Sequence, residues 1–455
     1  MASLDIVIMA AGKGTRMKSA RPKVLHRLAG KSLLQHVLDA VAGLAAARTL
    51  VITGHGALTL EAEIRAQGLT FVRQQPQLGT GHAVQQAVPH LDSEGTTLIL
   101  NGDMPLVETA TVAALAAACD GARLALLTIE MADASGYGRV VRNGASVQAV
   151  VEDLDATPAQ RAIREVYTGM LAAPTAWLKS AVMALTNANA QREYYLTDIV
   201  AMAVADGVPV VTTQATNPTE VFGVNSPAQL AALERRYQSS RADALMQAGV
   251  RLADPARFDV RGKMVCGSDV EIDVDCVFEG NVTLADDVRI GAHCVIRNTR
   301  IDAGAVVLPF TYTDQAHIGA GAIVGPFARL RPGADLGPEV HIGNFVEIKN
   351  STLGRGAKAN HLAYIGDTTV GERVNYGAGS IVANYDGANK HRSVIGNDVQ
   401  VGSNCVLVAP LSVGDGATIG AGSTITKDAP AGQLTVARAR QVSLEGWKRP
   451  KRPAK

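Results

Sequence analysis

The chain passes from the apolar run Leu4 to Ala10 into Ala11-Gly12-Lys13-Gly14-Thr15-Arg16-Met17, with Pro22-Lys23 close behind. A Gly-rich turn after a buried strand exposes backbone N–H groups to phosphate, and Arg16 and Lys23 add cationic donors. Two common phosphate loops do not fit. The dinucleotide fingerprint needs a third Gly where this chain has Met17, and a P-loop needs Lys directly before Ser or Thr, whereas Lys13 precedes Gly14. A plain tight turn is the competing reading. Further on, Asp103 follows the apolar stretch Thr97 to Asn101, where a carboxylate either holds a hard cation or closes an Asx-turn.

In the second half an aliphatic residue recurs every sixth position: Ile272, Phe278, Leu284, Ile290, Ile296, then Ile318 to Ile348, then Ile395 to Ile425. Four residues after most of these stands a small or β-branched residue, as at Val288, Ala322, Ala328, Ala334 and Ser423. Neither helix nor ordinary strand has this period. Short strands joined by tight corners do, when stacked sides of a solenoid bury one aliphatic stripe. A parallel β-helix is expected, and period alone leaves its hand open.

That rhythm breaks where polar residues gather. One break lies between Ile348 and Tyr364 and holds Lys349 and His361, which puts His361 in a loop-like interruption. The other, between Val382 and Ile395, predicts an insertion carrying Asn384-Tyr385-Asp386-Gly387-Ala388-Asn389-Lys390. Arg331 and Lys349 suit a phosphate, and His361 suits proton removal near neutral pH. A lone His is more often structural, and a hexapeptide solenoid can serve only to assemble subunits.

The first 225 residues alternate apolar runs with amphipathic stretches, such as Leu4 to Ala10 then Leu33 to Leu44, and Thr97 to Asn101 then Thr109 to Ala118. This alternation predicts an α/β, Rossmann-like domain with a mostly parallel sheet, whose ligands sit at the carboxyl ends of strands. Ser226-Pro227 opens a long helix and Gly249 stops it. The expected division is a domain over 1–225, a linker helix over 226–249, and a β-helix with a tail over 250–455.

A net charge of +1 gives no global field for nucleic acid. No apolar run is long enough to span a membrane, and the N-terminus lacks a signal-peptide pattern, so the expected place is the cytoplasm. The five cysteines form no C-x-x-C pair. Cys276, Cys294 and Cys405 take the small-residue slot of the hexad, as buried small hydrophobes. The basic run Trp447 to Pro453 reads as a solubilising terminus.

The string A-A-G-x-G-T-R-M followed by P-K resembles the signature of sugar-phosphate nucleotidyltransferases. Further matches follow in order: Gln74, Leu78-Gly79-Thr80-Gly81-His82-Ala83, Gly102-Asp103, Gly136-Tyr137-Gly138-Arg139, Val151-Glu152-Asp153, and Gly223-Val224-Asn225. With the β-helix behind them, the whole chain resembles the bacterial bifunctional N-acetylglucosamine-1-phosphate uridyltransferase/glucosamine-1-phosphate acetyltransferases.

That resemblance implies a left-handed β-helix, Mg²⁺ as cofactor, and a homotrimer. It implies UTP, acetyl-CoA, glucosamine-1-phosphate and N-acetylglucosamine-1-phosphate as small-molecule partners. By it, Gly12, Gly14, Arg16 and Lys23 hold the UTP phosphates, with Arg16 and Lys23 catalytic; Ala10 and Ala11 line the nucleotide site, and Gln74, Gly79 and Thr80 take the uracil end. Gly102 joins the nucleotide site, Asp103 and Asn225 hold Mg²⁺, and Gly138 and Glu152 contact the sugar. His361 becomes the acetyl-transfer base. Arg331, Lys349, Tyr364 and Asn375 bind glucosamine-1-phosphate. Ala378, Asn384, Tyr385, Ser403, Ala421 and Arg438 bind acetyl-CoA.

Two departures stand out: Tyr167 where the family usually has Asn, and Asn101 where many members have Tyr. A single-activity pyrophosphorylase with a structural β-helix is the alternative.

Overall fold

The computed structural model describes residues 3–64, 68–215 and 217–450, so Lys451 to Pro453 of the basic run lie outside it. The chain folds as two compact units, Met1–Tyr237 and Gln238–Lys455.

In the first unit the strands run in the order Val210–Gln214, Leu124–Glu130, Glu165–Pro174, Thr96–Asn101, Leu4–Ala10, Arg48–Thr53 and Leu69–Arg73. Leu4–Ala10 pairs in parallel with both neighbours, and Glu165–Pro174 runs antiparallel to both of its own. Successive side chains of a strand face opposite ways, so one strand feeds two cores. Ile6 and Ile8 pack with Leu98 and Leu100 on one side, and Val7 packs with Leu50, Ile52 and Ile99 on the other. Burial on both faces explains the unbroken apolar run in each central strand. The loops after Ala10, Arg73 and Asn101 leave the carboxyl ends of neighbouring parallel strands. They therefore emerge side by side.

The helix Pro227–Gln247 starts at Ser226, whose hydroxyl accepts the Gln229 N–H at 3.2 Å, and it stops before Gly249 at φ +98°. Its first part lays Leu233 among Met17, Leu28, Leu33 and Val224 of the first unit. Later, buried Gln238 takes the N–H and carbonyl of Val260 through both ends of its amide, and Ala242 joins the solenoid core.

The second unit is a left-handed parallel β-helix. Ile272, Ile290, Val307, Val324 and Ile342 stack in register on one face. Leu284, Ile301, Ile318, Leu336 and Leu353 stack on another. All are buried, each contributing roughly 1.5–3 kcal/mol. The hexad's period thus comes from stacked sides, and its small residues fit the corners. Cys276, Cys294 and Cys405 are buried free thiols in those slots.

Corner residues with positive φ form a column along the solenoid: His293, Phe310, Phe327 and Phe345, at φ +56° to +61°. Their rings stack at centroid distances of 4.7, 4.9 and 5.4 Å, with the three Phe half-exposed. Leu362 continues the column.

His361 is corrected by the structure: it does not sit in a loop. It ends the strand Lys358–His361, paired in register with His341–Asn344, and the spacing from Ile342 to Ala359 shortens this coil by one residue without leaving the ladder. The Val382-to-Ile395 break, by contrast, is a true excursion between the strands Ile381–Ala383 and Ser393–Ile395.

Candidate active sites

The first unit holds a cleft of about 470 Å³ at the carboxyl ends of its central strands. Ala10, Ala11, Gly12, Gly14, Arg16 and Lys23 line it from the first loop, Gln74, Gly79 and Thr80 from the second, and Asp103 and Asn225 from two more. Only a short turn, Thr15–Met17, follows the Gly-rich loop, so its anion affinity comes from loop amides and cations rather than a long helix. Gly14 sits at φ +60°, and a Cβ there would meet Lys23 Cβ at 2.8 Å. Gly79 has φ +113°, and a Cβ would lie 2.6 Å from the Tyr194 carbonyl. Both positions demand glycine for conformation and for space.

Gln74 is buried, its amide nitrogen donating to the Gly79 carbonyl at 2.9 Å and approaching His82 Nδ1 at 3.1 Å. Among the described residues Arg16 makes no hydrogen bond or ion pair and is exposed. It is free to meet a ligand.

Lys23 Nζ donates to Asp103 Oδ2 at 2.5 Å and to Asn225 Oδ1 at 2.9 Å. Two oxygens from distant loops therefore converge on one cation. No group of three His, Cys, Asp or Glu side chains that could cage a metal exists among the described residues. Two protein oxygens beside an anion-binding loop suit Mg²⁺, which takes most of its ligands from water and substrate phosphates. The donor set fits.

Gly102, expected in the nucleotide site, and Gly138 and Glu152, expected at the sugar, are not among the residues that line this cleft. Gly102 donates its N–H to the Met9 carbonyl at 2.9 Å, holding the Asp103 loop against the first strand. A Cβ on Gly138 would lie 3.8 Å from Glu152 Oε2, so these two are neighbours. Glu152 accepts from Thr197 Oγ1 at 3.0 Å. Burial raises its pKa against that hydrogen bond, helped by Asp198, Asp155 and Asp153. Tyr167 is buried with its hydroxyl unpartnered, and burial beside Glu152 pushes its pKa far up. The phenol thus lies within the fold. Asn101 lines the cleft and donates to the Thr168 carbonyl at 3.4 Å.

In the second unit Arg331 Nη1 pairs with Glu347 at 2.7 Å and Lys349 with Asp367 at 3.2 Å. Glu347 and Lys349 share a strand whose register neighbours are Tyr364 and Gly366. Any side chain at position 366 would collide with the Tyr364 hydroxyl and the Asn384 amide. The insertion thereby closes over this strand: Asn384 Nδ2 reaches Asp367 Oδ2 at 2.5 Å, and Lys349 pushes the Lys390 pKa down. With Arg329 also 3.5 Å from Glu347, four cations meet two carboxylates, a net positive charge that suits an anion. Asn375 lies on another face, in register with Lys358 and Gln400, and is not brought to Arg331 and Lys349.

A single corner column carries the rest. Backbone hydrogen bonds climb it coil by coil, from Leu362 to Asn344 O, Gly379 to His361 O, Asn404 to Ala378 O, and Gly422 to Ser403 O. Arg438 then donates to the Ala421 carbonyl at 2.6 Å. His361, Ala378, Ser403 and Ala421 therefore form one line, about 14 Å long at about 4.8 Å per coil. Tyr385 stands exposed in the insertion, its hydroxyl on the Gly387 carbonyl.

Sequence reasoning missed Asp367, Glu347, Asn344 and the role of Lys390. Asp367 takes a positive-φ corner that Asn298, Gln315 and Asn350 fill on earlier coils, so a polar residue there is ordinary and gave no signal.

Residues 6–248 match the MobA-like NTP transferase domain, and residues 313–412 match the GMPPB C-terminal domain. The bifunctional protein GlmU of Methylibium petroleiphilum is 71% identical over 99% of this chain and 99% of its own length. That of Aromatoleum aromaticum is 56% identical over 98% of each. A solved UDP-glucose pyrophosphorylase complexed with UDP-glucose aligns with 53% of this chain and all of its own, at 16% identity and a TM-score of 0.44.

Proposed function

The chain belongs to the family of bifunctional GlmU proteins, and from that premise we propose how its residues divide two reactions between two units. It is an enzyme of UDP-N-acetylglucosamine biosynthesis. One activity acetylates glucosamine-1-phosphate with acetyl-CoA. The other transfers UMP from UTP to N-acetylglucosamine-1-phosphate, releasing pyrophosphate, and depends on Mg²⁺.

In the uridyl site the loop amides of Gly12 and Gly14, with Arg16 and Lys23, take the triphosphate, while Gln74, Gly79 and Thr80 take the base. Gly138 and Glu152 receive the sugar. The attacking phosphate oxygen is already ionised, so no base is required. These residues position the two anions in line and offset their charge. Asp103 and Asn225 would hold Mg²⁺, which would supply charge neutralisation at the α-phosphate.

In the acetyl site Arg331, Lys349 and Tyr364 hold the sugar phosphate, and His361 accepts the amine proton. The long arm of acetyl-CoA follows Ala378, Ser403, Ala421 and Arg438, with Asn384 and Tyr385 at the acyl end. The observation that carries this reading is the straight corner column starting at His361.

Three copies are proposed to assemble as a homotrimer. The half-exposed stack of Phe310, Phe327 and Phe345 beside the His361 column supports burial against another solenoid, and Asn375 then faces a site built from two chains. Free thiols and the substrates support a cytoplasmic setting. No described helix is long and apolar enough to cross a membrane.

The test follows thiol release and pyrophosphate separately, with Mg²⁺, glucosamine-1-phosphate, acetyl-CoA and UTP. His361→Ala is expected to abolish thiol release and spare pyrophosphate formation from supplied N-acetylglucosamine-1-phosphate. Equal loss of both would remove the assignment.

A further inference from the structure

Asn344 Oδ1 lies 2.9 Å from His361 Nδ1. The two residues end neighbouring strands and face each other in register. An amide oxygen only accepts, so Nδ1 carries the proton and the lone pair falls on Nε2.

We propose that Asn344 is a positioning residue for acetyl transfer, holding the exposed His361 ring in the tautomer and orientation that present Nε2 to the substrate amine. This rests on His361 being the base and names what prepares it. An exposed imidazole would otherwise sample both tautomers and several rotamers. The backbone beneath is held firmly, with Leu362 N–H on Asn344 O and Gly379 N–H on His361 O, each at 3.1 Å.

The other titratable groups on these strands are His341, Lys358 and, on the flanking strand, buried Tyr376. None is a carboxylate. A neutral acceptor therefore orients the ring without the anionic field that would favour imidazolium. In the step itself the amine nitrogen forms a bond to the thioester carbonyl carbon and gives its proton to Nε2. The C–S bond then breaks with its electron pair on sulfur, which takes the proton back from Nε2.

The test uses the full chain and reads kcat, KM and the pH profile of thiol release. Asn344→Ala is expected to lower kcat about tenfold or more, with both KM values within twofold and pyrophosphate formation unchanged. Asn344→Asp restores most of kcat and moves the acid limb upward by about one pH unit, because a carboxylate stabilises imidazolium. Wild-type kcat in Asn344→Ala would overturn the proposal. So would an Asn344→Asp variant as impaired as Ala with an unmoved limb, or loss of acetyl-CoA binding by calorimetry in Asn344→Ala. His361→Ala separates the two readings. If it retains thiol release, the base assignment falls; if it is inactive while Asn344→Ala is normal, only the present inference falls.

Discussion

Lys23 and Asp103 are far apart in sequence, yet the Lys23 ammonium stands 2.5 Å from Asp103 Oδ2 and also touches Asn225. One cation already occupies the place where two oxygen donors converge. Asp103 and Asn225 would hold Mg²⁺ in the proposed reaction, and Lys23, drawn to the same two oxygens, would then be released to the substrate phosphates.

Removing divalent metal with a chelator is expected to stop pyrophosphate formation and leave thiol release intact. Asp103→Ala should do the same to uridyl transfer, by about a hundredfold or more. Parallel assays of both activities check this, and metal-independent uridyl transfer would contradict the site.

Gly14→Ala should lower uridyl transfer through Lys23. The new methyl group meets Lys23 Cβ at 2.8 Å in a backbone already at φ +60°, a conformation costing roughly 1–2 kcal/mol for a residue with a Cβ. Melting temperature and kcat/KM for UTP should both fall, with acetyl transfer unchanged.

Asp367 ties Asn350, Lys349 and Asn384 together. Burial alone would raise its pKa, but the hydrogen bonds from these partners outweigh it and hold the carboxyl below the usual range. Its contribution to stability is therefore present above the unfolded carboxylate value of about 3.9 and is lost as pH falls through the lower folded value. Asp367→Asn should raise KM for glucosamine-1-phosphate and acetyl-CoA together. Its stability deficit should be full at pH 7 and shrink below about pH 4. Steady-state kinetics and unfolding at two pH values test both points.

His317 lies between Asp302 at 2.8 Å and Asp335 at 2.7 Å. Partial burial lowers its pKa, yet both carboxylates raise it further, and the net direction is up. The charged triad therefore stabilises fully below the unfolded His value of about 6.5 and is lost as pH rises through the folded value. His317→Gln should cost about 0.5–1 kcal/mol at pH 6, reduced by solvent screening, and close to nothing at pH 9. Urea unfolding at the two pH values measures it; a cost independent of pH would show that the carboxylates do not act on the ring.

Sequence alone determined what is local or periodic. The six-residue stripe of Ile, Leu and Val demanded a solenoid, because no other regular structure returns an inward position every sixth residue. The Leu4–Ala10 run and the glycines after it marked a buried strand and an anion loop, since backbone amides at such a turn bind phosphate regardless of distant neighbours. Ser226 and Gly249 marked the helix ends through capping chemistry that spans a few residues.

Tertiary structure decided what depends on register between coils and loops. That Asn344 faces His361 follows from one coil being a residue short, which sequence periodicity could register only as a break. That Asp367 holds Lys349 and Asn384 at once depends on an insertion folding back over its own coil. That Lys23 fills the gap between Asp103 and Asn225 requires three loops to emerge from one end of the sheet. Spacing along a chain sets which face a residue takes. Only stacking sets which residue it meets there.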